Sequence, residues 1–371
     1  MRFLTAGESH GPCLVAIVEG FPAGFPIDVE QINRDLARRQ KGYGRGERMQ
    51  IEEDQIEILT GLVNGRTIGS PIAMRIANRD YPNWAGREHP PITLARPGHA
   101  DFAGSVKYGF GDVRLAAERS SARETAARVA VGSLARQLLR HFGIEAAVHV
   151  LQIGSAALER SGVTFPELAA AEQSPVRCTD PETSQAMMAE IERAKAAGDT
   201  LGGIFEIQIK GVPVGLGSYV HWDRRLDSRL AAALMSIPGI KGVEIGEGFA
   251  AAQKLGSQVH DELFYEHDRG YYRRTNRAGG IEGGMSNGEV IVIRAAMKPI
   301  PTLTRPLKTV DISSRQPAQA SVQRSDTCAV PAAAVVGELA ALTVIAQAFL
   351  EVFGGDSLKE IEQRWLQFQS G

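Results

Sequence analysis

The chain has 371 residues, 43% hydrophobic and 23% charged, with 40 Gly and 18 Pro, a globular composition able to build a sizeable core. Its formal net charge of -2 removes any general electrostatic reason to bind nucleic acid or anionic membrane. Cys13, Cys178 and Cys328 lie far apart without C-x-x-C spacing, so neither a zinc site nor a disulfide framework is expected, and a reducing cytoplasm is the expected location.

Met1 to Thr5 has neither a basic n-region nor an apolar run, and no signal peptide is expected there. Gly7-Glu8-Ser9-His10-Gly11 then satisfies G-x-S-x-G, the nucleophile elbow of serine hydrolases. An elbow needs a helix directly after the serine, whereas Pro12 leads here into a β-branched run, Cys13–Phe21, that reads as a strand. Ser9 is therefore a poor nucleophile. His10, flanked by small residues, has room for a ligand and can exchange a proton near neutral pH, the alternative being a structural histidine.

Helical periodicity follows at about Val29–Gln40, carrying Arg34, Arg38 and Arg39, with Arg45 and Arg48 in the Gly-rich turn beyond. Basic residues are lopsided: nine are lysine and 32 are arginine, whose planar fork suits carboxylate and phosphate. Arg38 and Arg39, being adjacent, are not expected both to face the core, and a solvated face is the ordinary reading of such a run. The turn Gly42-Tyr-Gly-Arg45-Gly46 is an odd place for a merely soluble surface.

Strands are expected at Gln55–Thr60 and Pro71–Ala77, followed by a polar loop over Asn78–Pro97. Arg96-Pro97-Gly98-His99-Ala100-Asp101 sets an imidazole on a Pro/Gly turn two residues before a carboxylate. No HExxH or His/Cys cluster accompanies it, so no metal site is expected. Arg119-Ser120-Ser121-Ala122-Arg123-Glu124 opens a helix expected over Ser121–Phe142, where Ser121 and Glu124 form an S-x-x-E capping box. Free N–H groups, two hydroxyls and guanidiniums at one helix start make an anion site.

Further strands are expected at Ala147–Ile153, Gly203–Lys210 and Glu289–Ala295, and helices at Glu182–Ala197, Asp223–Ser236 and Pro331–Phe353. In Gly203–Lys210, Phe205, Ile207 and Ile209 alternate with Glu206, Gln208 and Lys210, which points to antiparallel sheets with one wet face. The expected class is α+β in a single domain spanning 1–371. Gly20-Phe-Pro-Ala-Gly24 and Gly211-Val-Pro-Val-Gly215 share G-x-P-x-G between a strand and a helix bearing paired arginines (Arg38 and Arg39; Arg224 and Arg225), a hint of internal duplication.

The Gly279–Gly288 loop is neither a Walker nor a Rossmann motif, but glycines this dense let backbone lie flat against a planar ligand or phosphate. Lys298-Pro-Ile-Pro-Thr302 and Arg324-Ser-Asp326 suit a phosphate or a ring edge. The most apolar stretch, Ala329 to Phe353, is interrupted by Glu338, Gln347 and Glu351 and opened by Pro331, so a buried helix is expected rather than a membrane span.

These motifs in this order resemble the chorismate synthase family, and the likeness runs from residue 1 to about 353. Gly7–Gly11 is similar to its GESHG signature, Arg96–Asp101 to RPGHAD, Arg119–Thr125 to RSSARET and Gly279–Gly288 to its glycine loop; the KPIPT, R-S-D and Asn78–Trp84 segments follow. The resemblance implies a lyase that converts 5-enolpyruvylshikimate 3-phosphate to chorismate and phosphate by 1,4-elimination with reduced FMN, the last common step of aromatic amino-acid (shikimate) biosynthesis. It implies His10 and His99 as the catalytic histidines and Asp326 as the carboxylate beside the flavin. FMN contacts are implied for Arg119, Ser120, Ser121, Pro238, Gly239, Gly283, Lys298, Pro299, Ile300, Pro301, Thr302 and Arg324. Substrate or NADPH contacts are implied for Arg39 and Arg45, with Arg48 and Arg123 expected among the same cations. A homotetramer with a β-α-β sandwich core and flavin near a subunit boundary is implied as well. No reductase domain is visible, so NADPH is expected to act through a separate reductase. Ala117-Glu118 departs from the glycines, and Pro238-Gly239 from the Asn-Ala, that many members carry. The competing expectations are a Ser9 hydrolase, a flavin-binding protein without catalysis, and an RNA binder using the Gly-Arg turn.

Overall fold

The computed structural model describes residues 1–46, 53–87, 89–159, 162–322 and 325–370. Strands β1 (Arg2–Ala6), β2 (Cys13–Glu19), β3 (Ile56–Ile58) and β4 (Ile72–Ala77) form an antiparallel sheet in the order β1-β2-β4-β3. Period-2 alternation buries Leu14, Ala16, Val18, Ile72, Met74 and Ile76 on one face and leaves Leu4 and Ile17 exposed on the other. A second antiparallel sheet holds β5 (Glu145–Ile153), β6 (Ala156–Ala157), β7 (Gly203–Lys210), β8 (Ile240–Ile245) and β9 (Ile291–Met297), in the order β8-β9-β7-β5-β6. The expected mixed class with antiparallel sheets holds.

Among the described residues, the α-helices longer than one turn are α1 (Val29–Gln40), α2 (Asp101–Tyr108), α3 (Val113–Ser120), α4 (Thr125–His141), α5 (Phe165–Ala170), α6 (Pro181–Ala196), α7 (Leu226–Met235), α8 (Val330–Phe353) and α9 (Leu358–Ser370). Helix α4 rests on the first sheet, α8 on the second, and the two pack along one another. Their approach is close enough that a Cβ on Gly132 would lie 2.5 Å from the Leu339 carbonyl oxygen, so only glycine fits. Helix α8 is long and apolar enough to cross a membrane, yet 83% of its apolar window is buried in the protein, as expected of a core helix.

Three expectations need correction. The helix expected from Ser121 begins as a 3₁₀ turn, Ala122–Glu124, and becomes α-helical only at Thr125. Ser121 does cap, accepting from the Arg123 N–H, but Glu124 does not close the box. Its carboxylate instead accepts from Thr5 Oγ1 at 2.6 Å and from Arg128 Nε at 2.9 Å, a trade of a local bond for tertiary ones. Second, the polar face of β7 is not wet: Glu206 is 6% exposed, bonded by Arg294 at 2.8 Å, and neighbouring His149 is wholly buried. Leu168 of α5, with Phe165 and Val163, packs over Ala147 of β5 and helps to close that face. Third, residues 101–120, given no helix in the reading above, hold α2 and α3.

The two G-x-P-x-G turns are built alike. Gly20, Gly24, Gly211 and Gly215 all have φ between 71° and 95°, where a side chain would be strained. In the first turn Thr67 Oγ1 donates to the Pro22 carbonyl and accepts from the Phe25 N–H. In the second Ser286 Oγ donates to the Pro213 carbonyl and accepts from the Leu216 N–H.

Candidate active site

His10 sits in the turn between β1 and β2. Its Nδ1 lies 2.6 Å from Glu118 Oε1, and its backbone N–H donates to Glu118 Oε2 at 2.8 Å. A carboxylate only accepts, so Nδ1 carries the proton of that bond. The Trp84 ring packs 3.9 Å, centroid to centroid, from the imidazole. Asn78 Nδ2 donates to the carbonyls of Ser9 and Gly11 and fixes the turn. Ser9 runs through this turn into β2 with no helix behind it, so no nucleophile elbow forms.

His99 is held by the same chemistry from nearer residues. Its Nδ1 is 2.5 Å from Asp101 Oδ1, and Asp101 also takes the Arg96 N–H, Nε and Nη2. Burial alone would raise the Asp101 carboxyl, but the bonds from His99 and Arg96 outweigh it and hold the group well below the usual carboxylate range. Helices α2 and α3 form a hairpin across the 109–112 turn, with Gly104 against Ala116. That pairing brings the start of α2, just past His99, to the end of α3 that carries Glu118 and Arg119.

From the end of α3 the chain passes the arginines. Arg119 donates to the Thr5 and Gly7 carbonyls at 2.8 and 3.0 Å, so it braces the His10 turn. Ser120 Oγ returns to the Ala116 carbonyl. Arg39, 5% exposed, donates to Thr125 Oγ1 and to the Ala122 carbonyl, both at 2.9 Å, with Asp54 3.5 Å from its Nη1. Arg123 grips both oxygens of Asp54 at 2.6 and 2.7 Å. Arg45 pairs with Asp326 at 2.7 Å, and Asp326 also accepts the Gly46 N–H. Burial, reinforced by the Arg45 and Arg123 charges and only partly opposed by Asp54 and Asp326, pulls the Arg39 guanidinium down to about 10. Among the described residues, the guanidiniums of Arg39, Arg45 and Arg123 thus share one neighbourhood with the carboxylates of Asp54 and Asp326. As expected, Arg38 and Arg39 do not both enter the core: Arg39 is buried and Arg38 half-buried, yet neither lies on a freely solvated face, because α1 is flanked by α4 on one side and α8 on the other.

The segment Lys298–Thr302 closes onto the His99 loop: the Lys298 ammonium donates to the Gly98 carbonyl, and Thr302 Oγ1 accepts from Arg96. Thr200 Oγ1 binds the Ile300 carbonyl, and Leu201 pairs with Thr327 and Cys328, which ties this segment to Asp326. Lys298 N–H binds the Gly239 carbonyl, so Pro238-Gly239 backs the same loop. Burial and the charge of Lys241 lower the Lys298 ammonium. A cavity of about 590 Å³ opens beside His99 between Arg96, Phe102 and Val310. Gly283 stands apart. Its hairpin lies at the first turn of α7, whereas Pro238-Gly239 follows the last, about 15 Å of helix away. Arg48 and Arg324 lie outside the described residues. Glu118 and Asp54 were not picked out as site residues from sequence; each acts on a partner more than 60 residues away, which no spacing reveals.

The chorismate synthase sequence pattern matches residues 1–350. The chain is 59% identical over 377 aligned positions to a chorismate synthase of Alkaliphilus metalliredigens, covering 100% of this chain and 99% of that one. It is 56% identical to one of Desulforamulus reducens, covering 100% and 98%. A crystal structure described as chorismate synthase superposes with a TM-score of 0.82 at 42% identity, covering 99% of this chain and 96% of the other.

Proposed function

The chain belongs to the chorismate synthase family, and on that premise we propose how its residues divide the reaction. The protein is a carbon–oxygen lyase that turns 5-enolpyruvylshikimate 3-phosphate into chorismate and phosphate, in aromatic amino-acid biosynthesis. The substrate brings two carboxylates and a phosphate to a place where, among the described residues, the guanidiniums of Arg39, Arg45 and Arg123 gather around Asp54 and Asp326. That gathering of guanidiniums is the observation that carries the reading. Arg39, Arg45, Arg123 and, from sequence, Arg48 bind the anion; His10 with Arg45 steadies the charge growing on the departing phosphate. His99, its Nδ1 pinned by Asp101, holds or delivers a proton through the other ring nitrogen, and Asp326 manages the proton on the flavin side of the site.

The donor set suits a flavin mononucleotide in two parts. Pro238-Gly239 and the Lys298–Thr302 loop meet beside the His99 turn, and the desolvated Lys298 gains from a phosphate. Reduced FMN, when bound there, supplies the electron density that eases loss of phosphate and recovers it afterwards. Arg119, Ser120, Ser121, Pro238, Gly239, Arg324 and Lys298 to Thr302 would hold it, with Gly283 reaching it only from a neighbouring subunit of a homotetramer. NADPH is the ultimate reductant through a separate reductase, and Arg39 and Arg45 are its candidate contacts. The single domain, the two sheets enclosing helices and the duplicated G-x-P-x-G halves are part of the same reading, supported by the paired Thr67 and Ser286 bridges. A cytoplasmic location rests on the widely spaced free thiols. Anaerobic incubation with substrate, with and without dithionite-reduced FMN, tests it: phosphate is released only with the reduced flavin. His10→Ala and His99→Ala each slow turnover by about 10²–10⁴-fold, and near-full rate in either variant rejects that histidine's role.

A further inference from the structure

We infer that Glu118 is a positioning residue for His10, an assignment that rests on the role proposed above for that histidine. Glu118 holds the turn by three bonds. Its carbonyl accepts the Ser9 N–H at 3.0 Å, Oε2 accepts the His10 N–H at 2.8 Å, and Oε1 takes the His10 ring Nδ1 at 2.6 Å. Because one carboxylate binds the backbone and the ring of a single residue, only one ring orientation satisfies both contacts. Trp84, 3.9 Å from the imidazole and itself fixed by Asp80 through its indole N–H, blocks rotation of the ring plane. The tautomer follows from the same contact: a carboxylate accepts, the proton sits on Nδ1, and the ring meets the reactants with Nε2. Helix α3 thus fixes which nitrogen of His10 faces the phosphate.

Glu118→Gln is the informative change, because both carboxylate oxygens act as acceptors and an amide can offer only one. The side chain is 24% exposed, so the isosteric variant folds. Two measurements on the full-length protein decide the matter. The first is steady-state turnover, with anaerobically reduced FMN, of Glu118→Gln, His10→Ala and the double variant. The second is ¹⁵N NMR of the histidine-labelled protein without ligands, the His10 signals being those lost in His10→Ala. We expect kcat to fall about 10–100-fold in Glu118→Gln with KM little changed. The double variant should be no slower than His10→Ala, because the catalytic effect assigned to Glu118 passes through that ring. The His10 signals should move from the Nδ1-protonated towards the Nε2-protonated pattern. A Glu118→Gln penalty that persists in full on the His10→Ala background, or unmoved ring signals, overturns the assignment. Near-full rate in Glu118→Gln beside a slow His10→Ala sinks Glu118 alone; near-full rate in His10→Ala sinks the reading of His10 and this one with it.

Discussion

Arg38 and Arg39 are neighbours on α1, the first half-buried and the second buried, and their surroundings are opposite. Arg38 joins Asp35, Glu172 and Glu338, and with Arg136 and Arg177 these form a network of three cations and three carboxylates among the described residues. Burial works against its charge, but Glu338, Glu172 and Asp35 overwhelm that cost and hold the guanidinium above its ordinary value. Arg39 shares Asp54 with Arg123 and lies near the Arg45–Asp326 pair, and its guanidinium is pulled down to about 10. One helix turns Arg38 to a network rich in carboxylates and Arg39 to the site, where among the described residues Arg39 Nη1 has no hydrogen-bond partner. A buried charge that is fully paired serves the fold; one left short of partners awaits a ligand.

The sharpest test of that contrast is to remove one charge from each face. Arg39→Met should cut kcat/KM by about 10³-fold or more, the loss of two or three charge-assisted bonds to the substrate at roughly 1.5–3 kcal/mol each. Its folding stability should change by no more than about 1 kcal/mol, because Asp54 keeps its bidentate bond from Arg123. Glu338→Gln should do the reverse. It breaks the pairs to Arg38 at 2.9 Å and Arg136 at 2.5 Å, and leaves buried guanidiniums uncompensated. The expected loss is about 3–5 kcal/mol in denaturant unfolding, with the specific activity of the folded fraction near wild type. If both variants lost stability equally, the two faces would not differ in kind.

What could be read from the sequence was what is local. The expected bounds of α1 and β7 match the observed ones, because periodicity, the Asp28 cap on the Gln31 N–H and alternation along eight residues act within one element. The His99–Asp101 pair was equally legible, two residues apart on a Pro/Gly turn. Glu118 and His10 are 108 residues apart, and only the α2–α3 hairpin brings them together. For Arg38 and Arg39 the solvated-face reading misled: successive residues on a helix point about 100° apart, and a helix covered on two sides buries one and half-buries the other. Glu206 misled in the same way: alternation marks the face opposite the core, but the cover over that face comes from elsewhere in the chain.

Glu206 extends the contrast to pH. Burial opposes its charge, but His149, Gln208 and Arg294 together hold its carboxyl down to about 2 from an ordinary 4.5. A depressed acid contributes stability that is fully present above its unfolded value and is lost as pH falls through the folded one. The wild type should therefore lose on the order of 2–3 kcal/mol relative to Glu206→Gln between pH 4.5 and 2. Parallel unfolding curves for the two proteins across that window would show that the β7 carboxylate is not tied to its neighbours in this way.

The smallest effect bears most directly on the face that Arg39 turns to the site. An anion that binds only the folded protein stabilises it by RT ln(1 + [L]/Kd), about 1.4 kcal/mol at ten times Kd. Inorganic phosphate offers the charge and the acceptors of the substrate's phosphate without its ring or carboxylates. It should raise the wild-type melting temperature by a few degrees, and do the same for Glu338→Gln from its lower baseline, because the core network takes no ligand. Arg39→Met should respond weakly. The response should also shrink as sodium chloride rises, since chloride competes for the same guanidiniums and screens them. Equal phosphate shifts in Arg39→Met and wild type would place the anion elsewhere on the protein, and leave Arg39 a structural role through Thr125, the Ala122 carbonyl and Asp54.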